Sequence, residues 1–307
     1  MDVAIVGDGQ LAGGVAAALA SRSDVRVLGP TTRAEQSGAL SSEADVVIVA
    51  TTTRLADVLA SIETAIVAGS NVIVSAEESA YPWAVDDAAA RRLDALAQRH
   101  GVTVLGCGLN PGFVFDALVL TLLGVCVSAA TIAVRRTVDL SGFGPAVRAR
   151  LGLGVDQASF QAGIASDEIL GHAGFPQSMA IVARAIGAQI ERIETRIEAV
   201  MADGISVGVR QHYTATVAGL PWYQATFDGH LDPASVGLIV RDEVHVTPQA
   251  GAALTCVIEP GIGSQAGSQA IIANSIDRVI EARAGWLTVA DLPPAHPFSP
   301  LRPFTTS

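Results

Sequence analysis

The sequence contains no lysine. All 19 of its fixed positive side chains are arginines, in a chain of 307 residues. Without lysine, the protein cannot form a lysine Schiff base or use an ammonium group as a general acid. A guanidinium does not release its proton near neutral pH, so arginine binds anions without exchanging protons with them. Proton transfer in this protein therefore has to use other side chains.

Cysteine and positive charge are also scarce. The three cysteines, Cys107, Cys126 and Cys256, stand in apolar runs, which predicts buried thiols in a reducing compartment and excludes a disulfide framework or a metal site. The net charge of −11 argues against nucleic acid and anionic membranes as partners.

The uncharged run 117–134 is as long as a membrane span, but its glycine and hydroxyl residues favour a helix followed by a buried strand. Since the first strand begins at Val3, no signal peptide is expected, and the predicted location is the cytoplasm.

A dinucleotide-binding pattern lies at the start of the sequence. An apolar strand, the motif G-x-G-x-x-A and a helical run follow one another directly. Gly7 permits the tight turn, Gly9 lets the backbone approach a pyrophosphate, and Ala12 lets the helix pack closely on the strand. The helix N-terminus, with Gln10 and Leu11, presents N–H groups to the phosphates. A purely structural glycine turn is the alternative, and the strand before and the helix after the motif disfavour it.

The pattern of strands and helices predicts an α/β protein with an N-terminal Rossmann domain and a parallel sheet. A central α+β domain with an antiparallel or mixed sheet follows, and an amphipathic helix comes after that domain. The predicted boundaries are 1–124, 125–265 and 266–307. Predicted strands are 2–6, 24–28, 45–50, 71–75 and 102–106 in the first domain, and 130–138, 194–201, 207–217, 223–231 and 244–247 in the second. Predicted helices begin at Pro111 and span 176–186 and 269–282, and the predicted hairpin turn is 219–221.

The end of the second strand favours NADP(H) over NAD(H), while NAD(H) stays possible. NAD-specific folds carry a carboxylate here that binds the ribose 2′-hydroxyl, and residues 29–33 contain none. Thr31, Thr32 and Arg33 instead provide two hydroxyls and a guanidinium that suit a 2′-phosphate. Alternatively, the threonines cap the next helix and the arginine is solvated.

Two further strand ends carry polar residues with a predicted cofactor role. Thr51, Thr52 and Thr53 follow the third strand, where this fold borders the pyrophosphate and the nicotinamide ribose. Capping of the next helix is the alternative for Thr53. Asn110 lies in a glycine-rich turn after the fifth strand and offers a donor and an acceptor for the nicotinamide carboxamide. Asn110 can also cap the helix that Pro111 is predicted to begin.

The fourth strand ends in adjacent carboxylates, Glu77 and Glu78, and functional residues of open α/β sheets cluster beyond such strand ends. Because adjacent side chains point in different directions, at most one is expected to face the nicotinamide. The alternative is that both only open a helix, where its dipole favours them. Tyr81 and Trp83 follow closely and are candidates for an apolar substrate pocket, or for packing under the loop.

The motifs A-E-E-S-A-Y-P-W and G-L-N-P-G-F-V-F-D resemble those of 2,4-diaminopentanoate dehydrogenases and related NAD(P)-dependent amine dehydrogenases of the dihydrodipicolinate reductase-like group. The resemblance continues to residue 293, through segments at 171–174, 177–178, 208–211, 273–276 and 284–285. It implies the three-part fold above, with the central domain forming a homodimer and the C-terminal helix packing back onto the first domain. It also implies interconversion of a ketone or aldehyde, ammonia and NAD(P)H with an amine.

The resemblance further implies that a glutamate transfers protons and holds ammonia or the iminium form. Glu78 is the preferred candidate, because a catalytic lysine follows the corresponding strand by the same offset in several related oxidoreductases, and Glu77 stays open. An anion attracts ammonium and iminium, whereas a lysine would repel them. Phe113 and His172 are candidate substrate contacts, although a lone histidine is more often structural.

Several alternatives stay open at the level of sequence. Arg135, Arg136 and Arg210 either bind a substrate carboxylate or form ion pairs in the second domain. The missing lysine disfavours homoserine dehydrogenase and the lysine-dependent sugar dehydrogenases, and the missing His-His motif disfavours dihydrodipicolinate reductase itself. An imine or carbonyl reductase of the same fold is one competing function. A non-catalytic NADP-binding sensor is the other.

Overall fold

The computed structural model describes residues 1–32, 35–40 and 44–298. The chain divides into two compact units, and each unit contains its own sheet. Unit 1 combines residues 1–113 with the segment from Ser264 onward, and unit 2 consists of residues 114–263. The chain therefore leaves unit 1 once and returns to it once.

The described part of unit 1 has a six-stranded parallel sheet in the order β12-β5-β4-β3-β1-β2. Its central strands are runs of Val, Ile and Ala with no exposed side chain, as expected for a parallel sheet that is covered on both faces. The strands are β1 (Asp2–Val6), β2 (Arg26–Thr31), β3 (Val46–Val49), β4 (Asn71–Val74), β5 (Thr103–Gly106) and β12 (Gly285–Leu287).

Helices connect these strands and form the rest of the core of unit 1. The helix α4 shows why the sequence folds locally: the Asp86 carboxylate accepts a hydrogen bond from the N–H of Ala89 at its start, and Gly101 ends it with φ 69°. The helix α9 packs on α1, as predicted for the C-terminal helix. The helices are α1 (Gln10–Leu19), α2 (Gln36–Leu40), α3 (Leu59–Val67), α4 (Asp87–His100), α9 (Ser264–Ala273) and α10 (Ile276–Glu281).

Unit 2 has a mixed sheet in the order β11-β10-β6-β9-β8-β7, in which only the described pair β6 and β9 is parallel. The two sheets together confirm the predicted fold class. The strands are β6 (Ala129–Asp139), β7 (Arg192–Ala202), β8 (Ile205–Val217), β9 (Leu220–His230), β10 (Arg241–Pro248) and β11 (Leu254–Ile258). The helices are α5 (Ala117–Leu123), α6 (Pro145–Arg150), α7 (Gln157–Ala165) and α8 (Phe175–Ile186).

A buried ion pair joins β6 to β10 in the core of unit 2. Arg136 donates to the Asp242 carboxylate at 2.7 Å, and their side chains are 2% and 1% exposed. Burial lowers the pKa of Arg136 and raises the pKa of Asp242, while the charge of each partner opposes that shift. Asp242 also accepts from the N–H of Ile262, and Arg136 donates to the Ile262 carbonyl. The pair therefore anchors the segment through which the chain returns to unit 1.

Three predicted local features are wrong in detail. The helix expected from Pro111 begins only at Ala117, because the Asp116 carboxylate accepts from the N–H of Ala117 and caps it there. The hairpin turn is Ala218–Gly219, both with positive φ, and Pro221 already lies in β9.

The predicted helix 269–282 is in fact two helices, α9 and α10. They are interrupted at Ser275, whose hydroxyl donates to the Ile271 carbonyl and accepts from Arg278. The predictions missed β11, β12, α6 and α7, whose short segments carry weak periodicity. The uncharged run 117–134 forms α5 and the start of β6, and no helix in the described part of the chain is long and apolar enough to cross a membrane.

Removing one partner of the buried ion pair should strongly destabilise unit 2. Asp242→Ala removes a buried carboxylate that accepts directly from the Arg136 guanidinium, which we expect to lower the free energy of unfolding by about 3–5 kcal/mol. The matched control is Glu194→Gln, which breaks an exposed pair with Arg192 and should cost less than about 1 kcal/mol. Urea denaturation measures both changes. Equal losses of unfolding free energy in the two variants would show that the buried ion pair stabilises the protein no more than the exposed one.

Candidate active site

The carboxyl ends of four strands of unit 1 lie side by side. Val6, Val49, Val74 and Gly106 are register partners from β1 to β3, β4 and β5, so they form one row across the sheet. Neighbouring strands are separated by about 4.8 Å. The loops that carry the predicted cofactor and acid residues therefore begin within a few ångströms of one another, at one edge of unit 1.

The turn between β1 and α1 has the backbone geometry that its glycines predict. Gly7 has φ +127°, and a Cβ at this position would lie 2.3 Å from the carbonyl oxygen of Ala50. Ala12 is fully buried beneath the turn, whereas a Cβ at Gly9 would meet no atom within 4 Å. Gly9 precedes α1 and has no side chain that could cap its first N–H groups. The turn thus packs tightly against β3 and leaves open space at Gly9.

A carboxylate lies close to the end of β2: it belongs to Glu35, which follows the segment 29–33 in the sequence. Thr31 donates its hydroxyl hydrogen to the Ile5 carbonyl, and the N–H and hydroxyl of Thr32 both donate to Glu35 at 3.2 and 3.0 Å. These hydrogen bonds lower the pKa of Glu35, so its carboxylate is ionised at neutral pH. Arg33 lies outside the described residues. The two predicted hydroxyls therefore already have protein partners, and one partner is an anion.

The loop after β3 is linked to the acidic segment after β4. The Thr52 hydroxyl donates to Asp57, and the Thr53 carbonyl accepts from the N–H of Glu78 at 3.4 Å. Thr51, Thr52 and Thr53 are all half-buried. Because α3 begins at Leu59, the suggested capping role of Thr53 is wrong.

Residues Glu77–Ala80, hereafter the acidic turn, form a short 3-10 helix directly beyond β4. The Glu78 carboxylate accepts a hydrogen bond from the N–H of Leu55 at 2.7 Å. Glu77 and Glu78 are both half-buried. A main-chain donor therefore fixes the direction of the Glu78 carboxylate at the edge where the strand ends meet.

The glycine-rich turn after β5 contains an unsatisfied polar atom. The side-chain oxygen of Asn110 is buried without a hydrogen-bond partner among the described residues. A Cβ at Gly112 would lie 2.1 Å from the Gly108 carbonyl, and the Leu109 N–H donates to the Ser268 hydroxyl. Since α5 begins later, at Ala117, Asn110 does not cap it. A buried acceptor without a partner requires an explanation, and a ligand N–H group would supply one.

Tyr81, Trp83 and Phe113 lie next to these loops. Tyr81 and Trp83 form an edge-to-face pair with ring centroids 5.2 Å apart, and Trp83 also packs against the core of unit 1. Phe113 follows the glycine-rich turn, and all three side chains are half-buried. Tyr81 and Trp83 thus follow the acidic turn directly, Phe113 follows the glycine-rich turn, and Trp83 is partly committed to the core.

His172 lies in unit 2, inside an aromatic cluster. Its ring is 5.1 Å from Phe175 and 4.9 Å from Phe227, and Gln211 binds both the N–H and the carbonyl of its backbone. Burial, together with the positive charge of Arg150, lowers the pKa of His172 to about 3. The imidazole is therefore neutral at pH 7 and serves there as a packing group or a hydrogen-bonding group.

The three arginines considered for substrate binding each pair with an aspartate of unit 2. Arg135 and Arg210 both contact Asp228, which is 3% exposed, and Arg136 contacts Asp242. These pairs favour the structural alternative for all three. The sequence predictions gave no role to Glu35 or to Gln211, although Gln211 lies in the resembling segment 208–211, because the partners of both side chains are set by tertiary contacts.

Comparisons with known proteins agree with this architecture. The family model of the 2,4-diaminopentanoate dehydrogenase C-terminal domain matches residues 113–300. The 2,4-diaminopentanoate dehydrogenase of Acetoanaerobium sticklandii is 33% identical over 236 residues, which cover 73% of this chain. The matched region spans 66% of the length of that enzyme.

Solved structures show the same fold. The amine dehydrogenase from Mycobacterium smegmatis superposes with a TM-score of 0.82 at 17% identity, over 96% of this chain and 97% of that one. Biliverdin reductase from Synechocystis, solved with biliverdin and NADP+, gives a TM-score of 0.54 at 14% identity, over 91% and 89% of the two chains. The extent of the family match confirms the resemblance: the chain belongs to the 2,4-diaminopentanoate dehydrogenase family.

Proposed function

We propose that this protein is an NAD(P)H-dependent amine dehydrogenase that converts a small ketone or aldehyde and ammonia into an amine, reversibly. The observation that carries the proposal is the Glu78 carboxylate, held by the Leu55 N–H at the sheet edge that also bears the dinucleotide turn. Membership of a family named for an amine-forming dehydrogenase supports the same activity. The absence of lysine removes the cation that would repel ammonium at such a site.

Unit 1 offers a fitting site for a nicotinamide dinucleotide. The space at Gly9 and the start of α1 suit the pyrophosphate, since N–H groups at a helix N-terminus attract anions. The Asn110 side-chain oxygen suits the amide hydrogens of the carboxamide, which would satisfy this buried acceptor. When bound, the nicotinamide supplies the hydride for amine formation and accepts it in the reverse direction.

The carboxylate performs two tasks in this scheme. It holds ammonium beside the carbonyl and takes one of its protons, which frees the nitrogen lone pair for attack on the carbonyl carbon. The attack breaks the carbonyl π bond, and a proton then moves from the attached nitrogen to the oxygen, which becomes a hydroxyl. The protonated carboxyl group gives its proton to this hydroxyl, so that water leaves and a substrate iminium forms. With the hydride that a bound nicotinamide would supply, this iminium would become the amine. Overall, carbonyl, ammonia, reduced cofactor and one proton give amine, water and oxidised cofactor.

NADP(H) is the proposed preferred cofactor, with NAD(H) also accepted. Arg33 is the residue expected to hold the 2′-phosphate. The ionised carboxylate of Glu35, which accepts hydrogen bonds from Thr32, repels the negative 2′-phosphate. This repulsion limits the preference for NADP(H), so NAD(H), with a neutral 2′-hydroxyl, is also accepted. The homodimer, the cytoplasmic location and the substrate contacts stay predictions, the latter at Tyr81, Trp83, Phe113 and His172.

Oxidation of NADPH in the presence of aldehydes, ketones and oxo acids, with and without ammonium, tests the proposed function. We expect oxidation that requires ammonium and an amine product identified by mass spectrometry. Oxidation that is independent of ammonium would indicate a carbonyl reductase. Tight binding of NADPH without turnover of any carbonyl would indicate a sensor, and either result would overturn the proposal.

The two motif glycines should respond differently to alanine. Gly7→Ala places a Cβ too close to the Ala50 carbonyl oxygen and requires alanine to adopt a positive φ. We expect this substitution to lower the free energy of unfolding by about 1–3 kcal/mol. Gly9→Ala finds open space in the protein, so its unfolding should match that of the wild type. Its methyl group occupies the proposed pyrophosphate site, and we expect the Kd for NADPH to rise at least about tenfold. Denaturation and fluorescence titration measure these effects, and unchanged NADPH binding by Gly9→Ala would count against the site.

Glu78→Gln should abolish amine formation and leave the Kd for NADPH near the wild-type value. The amide keeps the shape of the side chain but transfers no proton, so kcat should fall about 10²–10⁴-fold. Glu77→Gln is the matched control in the same turn and should retain most of the activity. Retained turnover in Glu78→Gln would move the role to Glu77, or away from both residues if neither substitution reduces kcat.

Glu35→Gln should shift the cofactor preference further towards NADPH. Removing the charge removes its repulsion of the 2′-phosphate, so the KM for NADPH should fall several-fold and the KM for NADH should not. The effect should shrink at high salt, because the Glu35 side chain is exposed and salt screens its charge. The control is Asp203→Asn, which makes the same charge change in unit 2, at a positive φ that asparagine tolerates. An equal effect of both variants would point to net charge rather than to a local contact.

A further inference from the structure

The acidic turn depends on a residue near the other end of the sequence. The indole N–H of Trp286 donates to the Ser79 carbonyl at 3.1 Å, across a separation of 207 residues. The Trp286 side chain is 2% exposed and Ser79 is fully buried. Inside a protein, a hydrogen bond without competing water holds its two partners firmly in place. The main chain of the acidic turn is therefore fixed directly after Glu78.

The strand β5 supports the turn from below. A Cβ at Gly106 would lie 2.3 Å from both the carbonyl carbon and oxygen of Ser79, so the two main chains touch at this point. The strand β12 pairs with β5 and places Trp286 opposite Val104, which brings the indole to the same level. The strand β12 thus supports the acidic turn together with β5.

A hydrogen bond from its own backbone N–H fixes the position of Trp286. Its N–H donates to the Asp94 carboxylate of α4 at 2.7 Å. The preceding Gly285 has φ +123°, and a Cβ there would lie 2.7 Å from the same carboxylate oxygen. The indole therefore belongs to a rigid part of the core, and its N–H reaches the turn from a defined direction.

We infer that Trp286 is a positioning residue for the candidate catalytic carboxylate, and this inference rests on the proposed function. The acidic turn is held on one side by the bond from the Leu55 N–H to Glu78 and on the other by the bond from Trp286 to Ser79. The Thr53 carbonyl also accepts from the N–H of Glu78, at the same end of the turn as the Leu55 bond. Loss of the Trp286 bond releases the main chain at Ser79, directly after Glu78, and lets it shift relative to these two bonds. The carboxylate then loses its alignment, although no group that touches substrate or cofactor has changed.

Two changes at position 286 test the inference. Trp286→Phe removes the N–H and some volume, whereas the isostere 3-benzothienylalanine, introduced by amber suppression, replaces the N–H by sulfur and keeps the shape. We expect both to lower kcat for amine formation about tenfold, which corresponds to about 1.4 kcal/mol, with an unchanged Kd for NADPH. The matched control is Trp222→Phe, a buried tryptophan of unit 2 that packs edge-to-face on Tyr223. Its kcat should stay near the wild-type value.

Hydrogen exchange gives a readout that needs no activity. The amides of Glu78–Ala80 should exchange about tenfold faster in both position 286 variants and at the wild-type rate in Trp222→Phe. If the wild-type protein forms no amine, the proposed function fails, and the exchange rates still decide whether Trp286 fixes the turn. Unchanged exchange in the benzothienylalanine protein, or a fall in kcat as large in Trp222→Phe, would overturn the inference.

Discussion

The candidate site depends on the parallel register of β1, β3, β4 and β5, which aligns Val6, Val49, Val74 and Gly106 in one row. Each loop starts from this row, so loops that are far apart in the sequence begin next to one another. Fully buried apolar strands keep the register, because a shift by one residue would exchange the faces of the side chains. The position of the acidic turn relative to the dinucleotide turn is a consequence of that packing.

Electrostatics then determines what such a site can do. Arginine is the only fixed cation, and three guanidiniums of unit 2, those of Arg135, Arg136 and Arg210, form ion pairs with Asp228 and Asp242. Unit 1 presents the carboxylates of Glu77 and Glu78 at the sheet edge, and Glu35 at the end of β2. Carboxylates near a nicotinamide favour cationic nitrogen substrates, since opposite charges attract most strongly where water is partly excluded. This property separates the proposed amine chemistry from lysine-dependent reactions on the same fold.

Sequence reasoning succeeded where the signal is local. The first five strands, α8 with its Gly187 end and the turn at Gly7 follow from apolar periodicity and from glycine conformation, although β2 runs from Arg26 to Thr31 and not over the predicted 24–28. It failed where a side chain competes with the backbone, as at Ser275, or where a short segment has too few residues to show a period, as in β12. Residues 29–33 by themselves favour NADP(H), because they contain no carboxylate. The carboxylate of Glu35 comes close to this segment only through the hydrogen bonds that Thr32 donates to it.

The sequence by itself determined the fold class, the dinucleotide turn, the family resemblance and the pair of carboxylates, because each is written in contiguous residues. Only the tertiary structure decided which groups hold those carboxylates. Leu55 lies 23 residues before Glu78, and Trp286 lies 207 residues after Ser79, so neither contact leaves a local pattern. The physical reason is that a side chain can be oriented by any group that packing brings close to it. Periodicity and turn chemistry describe only the residues that adjoin it along the chain.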